Sequence, residues 1–249
     1  MMTQSHQLEL ALWWLDVERI RIRAIVRSSK QTDINRSWKE TKSWIKAFLK
    51  NIPSIDSVST VLLYNGYAAV EREIGNEEEY QKILCQLLQM YCANPFVLDQ
   101  QSKPGFRAAL IRTWFSYSRS FLQSKYRQQP NQSLALAHFV ALGAGVSFSP
   151  HGTLPTPAIL LKAKRKYLAM LQDFSSSTSE CDVSSFDVET PFFNKPDEFI
   201  ELLQCYSYFL SLSDGCLPAF EMVQQWLETS QRSDFHFTTE NRYNIEFLR

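Results

Sequence analysis

Tyr64-Asn65-Gly66-Tyr67-Ala68-Ala69-Val70-Glu71-Arg72-Glu73-Ile74-Gly75-Asn76 carries the densest structural signal in the chain. Steps of three and four residues place Tyr64, Tyr67, Glu71 and the last turn on one side of a helix. Gly75 can adopt the left-handed conformation that ends a helix, and Asn76 tolerates it as well. A second apolar stripe follows at once through Tyr80, Ile83, Leu84, Leu87, Leu88 and Tyr91. The pattern predicts a helix, a tight turn and an antiparallel helix, neither of which can bury its stripe alone.

The same spacing returns on both sides of this hairpin. Trp14-Leu15-Asp16-Val17-Glu18-Arg19 aligns with Tyr67-Ala68-Ala69-Val70-Glu71-Arg72. Trp114 and Tyr117 repeat the spacing of Tyr64 and Tyr67, with Phe121 where the acid would stand. Tyr206 is followed by Leu210, by Asp214-Gly215 and by a stripe of Ala219, Met222, Val223, Trp226 and Leu227. Hairpins recurring every ~40–50 residues predict an all-α fold, an α-α superhelix (solenoid) of stacked antiparallel helical hairpins. The alternative is an irregular helical domain. The expected organisation is a helical array over residues 1–174, a Ser-rich acidic loop or linker over 175–196, and a C-terminal hairpin and tail over 197–249.

Working outward, a first helix is expected from about Gln7 to Val26. Its adjacent Trp13 and Trp14 predict burial on more than one side. A second helix, ended by Pro53, carries Trp38, Thr41, Ile45, Phe48 and Leu49. After the turn Lys103-Pro104-Gly105 comes the helix of Trp114 and Tyr117, then a partner from Ser133 to Val146. That partner is rich in Ala and Gly, residues that let helices approach closely. A Pro/Gly loop leads to Pro157, which suits the first turn of the next helix.

An apolar share of 45% supports a sizeable core, and 13% aromatics supply large knobs between helices. Zero net charge hides an asymmetry. Residues 1–170 hold 22 Lys+Arg against 12 Asp+Glu, and residues 171–249 hold 4 against 14. The two ends are therefore expected to meet different partners. Five cysteines without a CxxC pair predict a reducing compartment and no disulfide framework. Without an apolar run of about 18 residues or a signal-peptide pattern, an intracellular, non-membrane protein is expected.

The residues propose no reaction. His6, His138, His151 and His236 have no ligand spacing, and His138 reads as a packing residue. Glu77-Glu78-Glu79 reads as a helix-start cluster facing unpaired backbone N–H groups. Phosphate-binding, dinucleotide and nucleophile-elbow motifs are missing. The reading is therefore a non-enzyme with no cofactor, metal or small-molecule substrate. Glu18 and Glu71 are expected to pair with a neighbouring helix and so fix how hairpins stack. Basic clusters at 19–50 and 162–166 could track a phosphate backbone, but arginines 19–27 are spread around their helix. A protein-binding scaffold is favoured over direct RNA contact, with Arg23, Arg27, Lys164 and Arg165 as the candidate partner rim.

The Tyr64–Tyr67–Glu71–Gly75–Asn76 spacing resembles the half-a-tetratricopeptide (HAT) repeat of RNA-processing scaffolds. Residues 8–92 look most like the nuclear RNAi-defective ("necessary for RNA interference") family. The likeness is carried by Trp13-Trp14-Leu15-Asp16-Val17-Glu18, by Trp44-Ile45-Lys46-Ala47-Phe48-Leu49 and by the Tyr64–Asn76 hairpin. Phe121, Leu210 and the turn Asp214-Gly215 depart from the motif. The resemblance implies a nuclear, non-catalytic scaffold in RNA surveillance or silencing, with the RNA helicase of the nuclear exosome among its protein partners. Family members are much longer, so it also implies a fragment or a short member.

Overall fold

The computed structural model describes residues 4–28, 38–47, 57–91, 95, 105–123, 130–177 and 197–232. All regular structure among them is helical: α1 (Gln4–Ser28), α2 (38–47), α3 (Ser57–Ile74), α4 (Glu77–Tyr91), α5 (Phe106–Gln123), α6 (Gln132–Ala144), α7 (Pro157–Ser177), α8 (Glu198–Ser213) and α9 (Cys216–Arg232). The all-α class and the packing of neighbouring helices follow the expectation. Among the described residues no helix is long and apolar enough to cross a membrane. The expected linker lies outside the described residues from 178 onward, as does the tail after 232.

The helices form two compact units, dividing after Tyr91. This grouping differs from an array over 1–174 with a separate hairpin from 197. α8 packs on α5, α6 and α7, so the C-terminal hairpin shares a core with them.

The first unit holds α1 to α4. Gly75 ends α3 at φ 88°, its N–H donating to Arg72 O (2.9 Å) while the Asn76 N–H donates to Glu71 O (3.0 Å). This left-handed cap turns the chain directly into α4, whose first turn is Glu77, Glu78 and Glu79. α1 packs on α3 with Leu15 against Gly66 and Arg23 paired with Glu73, so contacts advance together and the two helices run parallel. α2 reaches both, through Thr41 to Glu18 and Lys42 to Glu71. First helices side by side, each with a partner, is the geometry of stacked hairpins.

In the second unit α5 and α6 form a hairpin, closed where the Asn131 N–H donates to Phe121 O (3.0 Å). α8 runs parallel to α5: Arg107 pairs with Glu198, Arg112 with Glu201, and the Phe115 ring lies 5.2 Å from Tyr208. This repeats the α1–α3 relation. α7 does not. After the left-handed Gly145 cap the loop folds back along α6, placing Phe148 on the His138 ring and Gly152 against Leu134 and Ala137. α7 therefore starts near the beginning of α6 and runs parallel to it, with Tyr167 O–H donating to Phe139 O (2.8 Å). It runs antiparallel to α8, since Lys164 meets Asp214 and Phe174 meets Phe199. α7 is thus an extra helix placed between two hairpins.

Candidate partner-binding surface

The motif positions read from sequence are buried or half-buried. Glu71 is fully buried and holds three partners: Tyr67 O–H donates to Oε1 (2.7 Å), Asn76 Nδ2 donates to Oε2 (2.7 Å), and Lys42 Nζ lies 2.9 Å from Oε1. α3, its turn and α2 thus meet at one carboxylate. Burial, and then the bond to Glu71, pushes the Tyr67 phenol well above its ordinary range. Glu18, its counterpart in α1, is half-buried and engages Arg21 (2.7 Å) and Thr41 (3.4 Å). Trp14 and Tyr64 are half-buried.

Trp114 and Tyr117 are buried in the second unit. Trp114 Nε1 donates to His138 O (2.9 Å), and Tyr117 packs edge-on against Phe121, His138 and Phe148. Phe121, standing where the motif has an acid, stacks on the His138 ring. A ring replaces a carboxylate here because its neighbours are aromatic. Tyr206 stacks on Tyr167 at 5.3 Å, and burial raises its phenol to about 12. Glu201 is also buried; burial raises its carboxyl, opposed by Arg112 at 2.5 Å.

Among the described residues no group of three or more His, Cys, Asp or Glu is placed to hold a metal ion.

The four rim candidates divide between the units. Arg23 pairs with Glu73, and the pair raises the guanidinium and lowers the carboxyl. Lys164 pairs with Asp214 at 2.6 Å. Arg27 and Arg165 are exposed. Of the described members of the 19–50 cluster, Arg19 pairs with Asp16, Arg21 with Glu18, Arg23 with Glu73 and Lys42 with Glu71.

A different surface stands out on α1. Its inner face buries Ala11, Leu15 and Ile22. The opposite face carries Leu10, Trp13 (49% exposed), Val17 and Ile20 (60% exposed), stepped by three, four and three residues. The adjacent tryptophans were expected to be buried on more than one side. Instead Trp14 turns inward and Trp13 stands in solvent. Arg21, Arg23 and Arg27 are exposed along α1, Arg21 and Arg23 being paired with Glu18 and Glu73, and the Asp16 side chain is exposed as well. The doubled Trp was the signal for this face, because one helix with apolar stripes on opposite sides needs two neighbours. Comparison with protein-family models, curated proteins and solved structures returned no match.

Proposed function

We propose that this chain is a non-catalytic helical scaffold that binds protein partners. The outward face of α1 carries the reading: four large apolar side chains in one stripe, beside arginines, on a helix already packed on its other side. Exposed apolar stripes of this kind are sites of association, and a helix laid along one is a common mode of recognition. Pairing of Arg19, Arg21 and Arg23 with nearby carboxylates supports a protein-binding surface over one that tracks phosphates. By its resemblance to HAT-repeat proteins, the setting we propose is a nuclear RNA-surveillance or RNA-silencing complex, with the exosome helicase as one partner to try.

The test is capture of partners from nuclear extract by the wild type and by Trp13→Glu/Ile20→Glu, alongside titration with single-stranded RNA. Protein capture that the double variant loses, with weak RNA binding that salt abolishes, is the expected result. Tight RNA binding without protein capture replaces this reading with an RNA-binding one.

A further inference from the structure

The outward face of α1 extends beyond its four large side chains. Leu10, Trp13, Val17, Ile20 and Ala24 are all exposed, and steps of three, four, three and four residues set them on one line. Arg27, three residues further on, is exposed too and continues the line with its aliphatic stem. This is the seam spacing of two helices packed along their length. The charges beside the seam select no charged partner. Asp16 pairs with Arg19, Glu18 with Arg21 and Glu73 with Arg23. Residues 1–91 as a whole carry 12 Lys+Arg against 11 Asp+Glu. A strongly acidic or strongly basic partner gains little from such a surface, and a second copy meets no repulsion from it.

We infer that the outward face of α1 docks on the same face of a second copy, with the two helices antiparallel about a two-fold axis. This rests on the reading of α1 as a protein-binding face and names its occupant. The seam is its own complement in that orientation. Setting Val17 beside Ile20 of the second copy places Trp13 on Ala24 and Leu10 on the stem of Arg27, and the two-fold repeats each contact. The largest side chain of the seam thus meets the smallest, twice. A parallel pair sets Trp13 on Trp13 and Ala24 on Ala24, which crowds one layer and leaves a gap in the other. One helix from each copy makes a small interface, so the pair is expected to form in the micromolar range.

The experiment is sedimentation velocity of the full chain from micromolar to sub-millimolar concentration, on the wild type, Trp13→Ala and Ala24→Trp. Both positions are exposed, so folding should persist, and circular dichroism checks it. The wild type is expected to reach a dimer and stop there, because a two-fold contact uses the same face of both copies. Trp13→Ala puts alanine on alanine at two places, and Ala24→Trp puts tryptophan on tryptophan. Each alone is expected to dimerise at least about tenfold more weakly than the wild type. In an equimolar mixture each new alanine meets a new tryptophan, and each original Trp13 meets an original Ala24. The mixture is therefore expected to dimerise about as tightly as the wild type. A mixture no tighter than the variants alone overturns the inference, and so does either variant dimerising like the wild type.

A photo-crosslinking residue in place of Leu10 supplies a second measurement that does not depend on those variants. Seventeen helical residues separate position 10 from Arg27, about 25 Å, so a crosslink between them joins two copies. A product between position 10 and the peptide holding Arg27 supports the antiparallel pair. One between position 10 and the peptide holding Leu10 of the second copy shows a parallel pair and sinks it. A wild type that stays monomeric throughout also sinks it. If that monomer still captures other proteins through Trp13 and Ile20, the protein-binding reading stands and only the second copy as occupant falls.

Discussion

Glu71 shows how much one buried group can decide. Its carboxylate has no exposed surface, and a lysine, a phenol and an amide converge on it. Lys42→Met removes the countercharge and leaves a buried carboxylate behind, which should cost about 3–5 kcal/mol in urea denaturation. Tyr67→Phe removes one charge-assisted hydrogen bond and should cost about 1.5–3 kcal/mol. Equal losses for both would mean that the lysine adds nothing beyond a hydrogen bond. His138 is the second such residue. It is buried between the Phe121 and Phe148 rings and bonded to the Pro150 backbone, and its Nε2 has no partner among the described residues. Burial lowers its pKa to about 4, opposed by the Pro150 bond. The unfolded chain, near 6.5, therefore binds the proton first as pH falls. Stability should be constant above about pH 6.5 and fall between there and pH 4, by up to about 3 kcal/mol from this group. His138→Phe should flatten that part of the pH profile. An unchanged slope between wild type and variant would show that the imidazole already takes up its proton near pH 6.5 in the fold.

Among the elements, two glycines set how closely helices approach, with opposite consequences. A Cβ on Gly143 would lie 2.3 Å from Tyr167 Cε2, in a ring held by its own hydrogen bond to Phe139 and by stacking on Tyr206. The ring cannot retreat, so Gly143→Ala should destabilise by about 3 kcal/mol through overpacking. A Cβ on Gly66 would lie 2.9 Å from Leu15 Cδ1, the far end of an aliphatic side chain. Gly66→Ala should be near neutral, because alanine's helix preference of about 1 kcal/mol offsets the adjustment. Chemical denaturation of the two variants side by side tests the contrast. The Ala- and Gly-rich run of α6 is a close-packing surface: Gly143 is where the Tyr167 ring of α7 comes in.

At the level of the molecule, α8 belongs with α5 to α7. Its buried Ile200, Leu203, Tyr206 and Phe209 complete the core of the second unit, and Glu198 and Glu201 answer Arg107 and Arg112. Removing residues 197–249 should therefore expose the side of α5 and α6 that α8 covers. A chain ending at residue 177 is expected to lose the cooperative unfolding of the second unit and to bind a hydrophobic dye. If it instead melts as sharply as the full chain, residues 105–177 form an independent core.

Local rules made the helices legible. The apolar period of three and four residues, the turn Gly75-Asn76 and the acids at the start of α4 each act within a few residues of one another, and the hairpin around them followed. Trp38, Thr41 and Ile45 are buried as their spacing predicts, and so are Tyr67 and Trp114. Which face of a helix meets which neighbour is not a local matter. The fold-back of the loop onto His138, the parallel run of α6 and α7, and the return of α8 to α5 each depend on contacts between residues distant in sequence. The same limit applies to α1. Its two apolar stripes could be read from Trp13 and Trp14, but only packing determined that Trp14 turns inward and Trp13 faces solvent. Periodicity records that a face is apolar; burial follows only when another element arrives to cover it.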